Sequence, residues 1–208
     1  MNEALRNLLY TLQHNGIGDP RVLGAIARIP REAFISGDSL ETEAYADEAL
    51  RIECGQTISQ PYIVAYMSER LNVAPDQDVL EIGTGSGYQA AILSRLARHV
   101  YTIERHRELH DLAVLRFERL GLDNVTAFCG DGIGGWPDNR LFDRILVTAG
   151  ATEVPGALLD QLALCGAMVI PLGPRYDQRI TLVTRRRTGV HAQTLIPVQF
   201  VPLVGPDH

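Results

Sequence analysis

The chain has 208 residues, 46% of them hydrophobic and 21% charged, with a formal net charge of −6 and an isoelectric point near 5.5. That is the composition of a folded domain with a full core, and the acidic balance opposes a broad phosphate-binding surface, so nucleic acid is excluded as the expected partner. No apolar run approaches a membrane span, Glu3 interrupts any basic leader, and the three scattered cysteines Cys54, Cys129 and Cys165 lack disulfide or zinc spacing; a cytoplasmic, monomeric protein with reduced thiols, no membrane contact and no metal is expected.

Apolar spacing predicts helices over residues 2–13 and 19–29, the second opened by Asp19 and Pro20 and stopped by Pro30. Residues 31–60 carry Pro, Gly and Ser without sustained periodicity, and Pro61 then opens a helix, PYIVAYMSERL. From residue 78 the pattern alternates: strand 79–82, helix 88–97, strand 99–103, helix 107–120, strands 125–129 and 143–148, helix 156–164 and strand 167–171. This alternation predicts an α/β fold with a doubly wound, mostly parallel sheet. Strands near 179–185 and 198–204 predict an antiparallel addition at one edge, with Arg185 to Arg187 decorating a solvated hairpin turn before Gly189. No linker or repeat divides the chain, which reads as one domain over 1–208, a helical and loop cap in 1–60 preceding an α/β core in 61–208.

Residues 80–88, LEIGTGSGY, run from a buried strand through Gly83, Gly85 and Gly87 into a helix. Such a turn needs residues without a Cβ, to bend sharply and to let a ligand approach, and the helix start offers N–H groups to a negative group. The third glycine comes one residue earlier than in the dinucleotide fingerprint, which seats a pyrophosphate. Glu104 ends the next strand, where a carboxylate can accept both hydroxyls of a ribose. The acid Glu81 before the glycines and a ribose-reading acid one strand on resemble class I S-adenosylmethionine-dependent methyltransferases, whose cofactor carries an amino acid in place of a pyrophosphate. Taken alone, Asp131 reads as a turn acid, and Trp136 beside Pro137 as either a ligand wall or a loop anchor. His106 and His110 are four apart, but Glu108 between them is not in metalloprotease order, and they read as a solvated helix face.

The segment Gly55-Gln56-Thr57-Ile58-Ser59-Gln60-Pro61 places hydroxyls and amides just before a helix, where Ser59 or Gln60 in isolation would read as a cap. GQTISQPYIVA together with LEIGTGSGYQAA closely resembles the bacterial protein-L-isoaspartate O-methyltransferase family. The likeness continues through IPREAF at 29–34, Tyr45-x-Asp47, Gly130-Asp131-Gly132, Gly135-Trp136-Pro137, Phe142-Asp143, IPLGP at 170–174 and FVPLVG at 200–205, in family order. The resemblance implies methyl transfer from S-adenosylmethionine to the α-carboxylate of L-isoaspartyl residues in damaged peptides and proteins, which are its substrates. It also implies that the ester closes to a succinimide that hydrolyses partly to aspartate. By the same resemblance Ser59 is the active-site serine, a positioner rather than a nucleophile. Glu81, Gly83, Thr84, Gly85, Ser86, Glu104, Arg105, Asp131 and Gly132 hold the cofactor, with Asp131 and Gly132 at adenine. Thr57, Ile58, Ser59, Thr148 and Gln178 hold the substrate.

One stretch departs from the family. Where its members have Leu-Pro-Ile-Gly, this chain has Leu50-Arg51-Ile52-Glu53, then Cys54. Glu53 facing the substrate would repel a carboxylate, whereas facing outward it would pair with Arg51. That leaves open a related carboxyl O-methyltransferase acting on a dedicated peptide or small-molecule carboxylate. A cofactor-binding sensor without turnover and an NAD-dependent oxidoreductase are the further readings.

Overall fold

The computed structural model describes residues 2–35 and 41–205. The chain starts with α1 (Glu3–His14) and α2 (Pro20–Arg28), each entered through a capping side chain: Asn2 Oδ1 accepts the Leu5 N–H at 2.7 Å, and Asp19 Oδ1 that of Arg21 at 2.8 Å. Their apolar stripes, Leu5, Leu8 and Leu12 on α1 and Val22, Ala25 and Ile26 on α2, are buried. A 3-10 turn at Arg31–Phe34 and the short α3 (Glu41–Ala44) follow. Next come β1 (Leu50–Arg51) and β2 (Thr57–Ile58), which pair antiparallel, Leu50 with Ile58 and Arg51 with Thr57. The GQTIS stretch is therefore one arm of a small hairpin leading into α4 (Pro61–Leu71).

The core elements are β3 (Asp78–Ile82), α5 (Tyr88–Ser94), β4 (His99–Glu104), α6 (Arg107–Arg119), β5 (Val125–Cys129), β6 (Phe142–Val147), α7 (Gly156–Asp160), β7 (Leu162–Leu172), β8 (Gln178–Arg186) and β9 (Gly189–Val198). Seven strands form one sheet in the order β5-β4-β3-β6-β7-β8-β9. The first five pair in parallel and the last two are antiparallel additions, the doubly wound architecture read from the alternation. The chain leaves β3 for β4 on one side and returns to β6 on the other, so a crevice opens at the carboxyl ends of these strands. Side chains alternate across the sheet: Val79 and Leu146 pack under α4, α5 and α6, while Leu80, Ile82, Ile145 and Val147 meet Leu158 of α7 on the opposite face.

Several boundaries differ from the sequence reading: α5 ends at Ser94 rather than 97, and β7 begins at Leu162 rather than 167. Helix α7 stops at Asp160, not 164, because Arg185 Nη1 donates to the carbonyls of Leu159 and Leu162 at 3.0 and 2.8 Å, and the Phe142 N–H bonds Gln161 O at 2.8 Å, turning the chain into the sheet. Arg185 is thus a helix-end ligand rather than decoration. The last strand is Gly189–Val198, not 198–204; beyond it Pro202 makes only an isolated bridge to Gly150. A proline within the run removes the donor a continuing strand needs.

Candidate active site

A cleft at the carboxyl ends of β3, β4, β5 and β6 is lined by Gln56 to Ser59, Ile82 to Ser86, Tyr88, Glu104 to His106, Asp131, Gly132, Thr148, Ala149 and Val201 to Val204, among others. Its floor is the glycine turn. Gly83 has φ +95, and a Cβ there would lie 2.5 Å from Thr148 Oγ1; Gly85 has φ +54 and faces open space, its nearest neighbour being Ile52 at 3.9 Å. Gly83 therefore lets β6 approach the turn, and Gly85 keeps the backbone accessible from the cleft.

The turn spends its amides internally. Gly83 and Thr84 N–H donate to Ile103 O at 2.9 and 3.2 Å, Gly87 N–H to Thr84 O at 2.8 Å, and Gly85 N–H to Glu104 Oε2 at 2.8 Å. Tyr88 N–H is turned toward Ser86 Oγ at 3.3 Å, so these amides are held within the turn.

Glu104 uses its other oxygen to accept the His106 N–H at 2.9 Å, so both carboxylate oxygens are fixed at the cleft wall with lone pairs to spare. Arg105 ties the opposite rim, its Nη1 donating to Val204 O at 3.2 Å. Asp131 caps the 3-10 turn Gly132–Gly134, Oδ1 accepting the Ile133 N–H at 2.9 Å, while Oδ2 is buried on the cleft wall with no hydrogen-bond partner. A buried carboxylate oxygen in that state calls for a donor from a ligand. Thr148 Oγ1 lies within hydrogen-bond distance of Ile82 O and Gly83 O, at 2.9 and 2.6 Å.

Two of the residues read from sequence stand off this cleft. Glu81 pairs with Thr102 in the β3–β4 register, on the α5 face of the sheet, and is wholly buried beneath the turn. Thr102 donates to Glu81 Oε2, and Thr84 Oγ1 lies 2.6 Å from Thr102 Oγ1, so Glu81 reaches the turn only through this chain. Burial pushes its carboxyl up to about 8, against the pull of the Thr102 hydrogen bond. Gln178 is buried and clamps the final segment, its Oε1 accepting the Phe200 N–H at 2.6 Å and its Nε2 donating to Phe200 O at 3.3 Å. It lines a neighbouring cavity that shares Pro202 and Leu203 with the first.

Helix α4 is capped by Asp47, fifteen residues before Tyr62, whose N–H Asp47 Oδ1 accepts at 2.8 Å; neither Ser59 nor Gln60 caps it. Trp136 is a loop anchor, its N–H and carbonyl bonded by Gln161 at 2.8 and 2.7 Å and its ring 5.1 Å from Tyr101. No group of His, Cys, Asp and Glu able to hold a metal occurs among the described residues. Arg51, Glu53 and Cys54 do not line the cleft, though Ile52 abuts Gly85: Cys54 Sγ reaches Glu108 Oε2 of α6 at 3.5 Å, and Arg116 of α6 is close enough to feel the Glu53 charge. Sequence reasoning missed Val201 to Val204 as a wall; Pro202, which disqualifies a central strand, was the available signal.

Strand order sorts the lining. Asp131 follows β5, Glu104 ends β4, the glycine turn follows β3 and Thr148 follows β6, and these strands are consecutive neighbours. Three strand spacings put roughly 14 Å between the ends of the row. A carboxylate with an unpartnered oxygen, a second carboxylate, a glycine turn and a hydroxyl thus succeed one another across the sheet. Base, ribose and amino acid, in that order, match it.

Comparison with known proteins agrees. The sequence model of the protein-L-isoaspartate(D-aspartate) O-methyltransferase family matches residues 3–208. The chain is 56% identical over 200 residues to the protein-L-isoaspartate O-methyltransferase of Parvibaculum lavamentivorans, covering 95% of this chain and 90% of that one. With the enzyme of the same name from Rhodospirillum centenum it shares 53% identity over 211 residues, covering 100% and 95%. A structure from Plasmodium falciparum, described as a protein-L-isoaspartate O-methyltransferase in complex with S-adenosyl-L-homocysteine, superposes with a TM-score of 0.85 at 27% identity, covering 98% of this chain and 99% of that one.

Proposed function

The chain belongs to the protein-L-isoaspartate(D-aspartate) O-methyltransferase family, and from that premise we propose that its cleft transfers a methyl group from S-adenosylmethionine to the α-carboxylate of L-isoaspartyl residues in damaged proteins and peptides. The observation that carries the reading is the row of groups set by strand order, with the buried, unpartnered Asp131 Oδ2 at one end. Asp131 Oδ2 would accept from the adenine amino group beside Gly132, Glu104 would accept from the ribose hydroxyls with Arg105 closing the rim, and Gly83, Thr84, Gly85 and Ser86 would flank the amino-acid portion. When bound, S-adenosylmethionine supplies a methyl group already activated on a sulfonium.

What the protein must add is position. A carboxylate is ionised at neutral pH, so its oxygen needs no general base. The lining agrees: its charged side chains follow β4 and β5, whereas Gln56, Thr57, Ile58, Ser59 and Thr148 contribute hydroxyl, amide and apolar surface. Thr57 and Ser59 would orient the carboxylate by hydrogen bonds, Thr148, whose proton goes to the Ile82 and Gly83 carbonyls, would flank it, and Ile58, buried, walls the cleft against water. Holding the oxygen in line with the methyl carbon supplies the acceleration. Glu53 and Arg51 do not line the cleft, which favours the isoaspartyl carboxylate over a different one.

The reading extends to a monomeric protein acting in the cytoplasm without nucleic acid. The net charge of −6 supports the exclusion of nucleic acid. The test is transfer of labelled methyl from S-adenosylmethionine to paired peptides differing only in L-isoaspartyl or L-aspartyl at one position, with Ser59→Ala as control. Base-labile ester on the isoaspartyl peptide alone is the expected result. Equal labelling of both peptides, or of neither, overturns the assignment.

A further inference from the structure

Arg31 has no part in the chemistry above, yet it is wholly buried at the start of the 3-10 turn that follows α2. Its Nη1 donates to the carbonyls of Ala44 and Ala46, and its Nη2 to those of Glu48 at 3.0 Å and Ser59 at 3.1 Å. No carboxylate among the described residues forms an ion pair with it. The guanidinium is thus solvated by backbone oxygens, drawn from two stretches of chain that are otherwise separate.

Burying a charge is poor evidence of added stability, because its desolvation cost is large and an apolar side chain of the same volume often serves as well. What a planar fork of donors does supply is geometry. Nη1 gathers Ala44 and Ala46, and Nη2 joins Glu48 to Ser59, so one guanidinium ties the 44–48 segment to Ser59. Asp47, within that segment, continues the grip by accepting from Gln60 Nε2 at 3.1 Å and from the Tyr62 N–H at 2.8 Å. Ser59 is held through its own carbonyl and through the residues that follow it. On its remaining side Arg31 lies over the ring of Tyr88, 5.9 Å from the centroid, and Tyr88 opens α5 directly after the glycine turn and lines the cleft. One side chain therefore touches both the loop that presents Ser59 and the helix that follows the cofactor turn.

We propose that Arg31 is a positioning residue for methyl transfer, setting the separation between Ser59 and the cofactor turn through the Ser59 carbonyl and the Tyr88 ring. The proposal rests on the reading of the cleft given above. Lysine cannot replace it, since an ammonium is a point charge with three donors on a flexible stem and cannot hold four carbonyls shared between the two nitrogens of a planar fork.

The experiment compares wild type with Arg31→Lys and Arg31→Met in three measurements: steady-state methylation of an isoaspartyl peptide, S-adenosylhomocysteine affinity by calorimetry, and thermal unfolding. A displacement of Ser59 by an ångström predicts a fall of about 100-fold in kcat/KM, with most of it in kcat. Affinity for S-adenosylhomocysteine stays at the wild-type value, and lysine restores little over methionine. Wild-type kcat in either variant overturns the proposal. So does loss of S-adenosylhomocysteine affinity in step with activity, or failure to fold, since either makes Arg31 a general support of the domain. Wild-type protein that leaves the isoaspartyl peptide unmethylated in the same assay marks a separate failure, that of the functional reading itself.

Discussion

Replacing Glu81 by glutamine should flatten part of the pH dependence of stability. Glu81 is wholly buried, accepts from Thr102, has a second oxygen without a hydrogen-bond partner, and feels the charge of Glu104 nearby. Its carboxyl, pushed up to about 8 from an ordinary 4.5, stays protonated in the folded protein at neutral pH and ionises on unfolding. Between those two values the unfolded chain binds fewer protons than the folded one, so stability falls as pH rises. Each pH unit is worth about 1.4 kcal/mol, and the interval from 4.5 to 7 therefore costs the wild type on the order of 3 kcal/mol that glutamine, which mimics the neutral acid, does not lose. Urea unfolding of both proteins at several pH values between about 4.5 and 8 measures it, because other titrating groups contribute equally to each and drop out of the difference. The glutamine variant should gain steadily on the wild type as pH rises through this window. Parallel stability curves would refute the reasoning and mean that Glu81 is ionised in the fold.

Two other substitutions test the site directly. Asp131→Asn keeps the cap on the Ile133 N–H but presents an amide where the unpartnered oxygen stands, and should weaken S-adenosylmethionine binding by roughly 10- to 100-fold in calorimetry, the worth of a hydrogen bond to a charged group. Gly83→Ala forces a side chain into φ +95 and a Cβ to 2.5 Å from Thr148 Oγ1. The backbone strain alone, about 1–2 kcal/mol, lowers the melting temperature by about 2–8 °C. Gly134→Ala, with nothing within 4 Å of its Cβ and no left-handed φ, should leave the melting temperature unchanged in the same scan.

The parallel core and the glycine turn were legible because their signals are local: a buried apolar run, glycines at a bend, and a helix opening at a proline. Strand β7 was harder, since LALCGAMVIPL continues the apolar spacing of α7 and contains an irregularity. Cys165 adopts φ +65, and the β6–β7 register shifts between Phe142 and Arg144, so the alternation of a regular strand is broken. Strand β9 hides for the opposite reason. Residues Gly189 to Thr194 are exposed, so no apolar face marks them, and only pairing with β8 makes them a strand.

The site divides the same way. Glu104, Asp131 and the glycines sit at strand ends, where the fold class itself places ligands, whereas the support of Ser59 comes from distant residues. Arg31 after a proline looks like any solvated arginine, and Asp47 caps a helix fifteen residues on, a relation that no local pattern encodes. The place of Glu81 before the glycines points to the cofactor, but the two-residue period of β3 turns it away from the cleft, toward Thr102.

The most direct test of the account is a crystal structure with S-adenosylhomocysteine and an isoaspartyl peptide bound. The account predicts the adenine amino group on Asp131 Oδ2, the ribose hydroxyls on Glu104, the sulfur beside the glycine turn, and the isoaspartyl α-carboxylate between Ser59 and Thr148. A ligand lying in the reverse direction across the sheet, or a carboxylate seated away from Ser59, would contradict it.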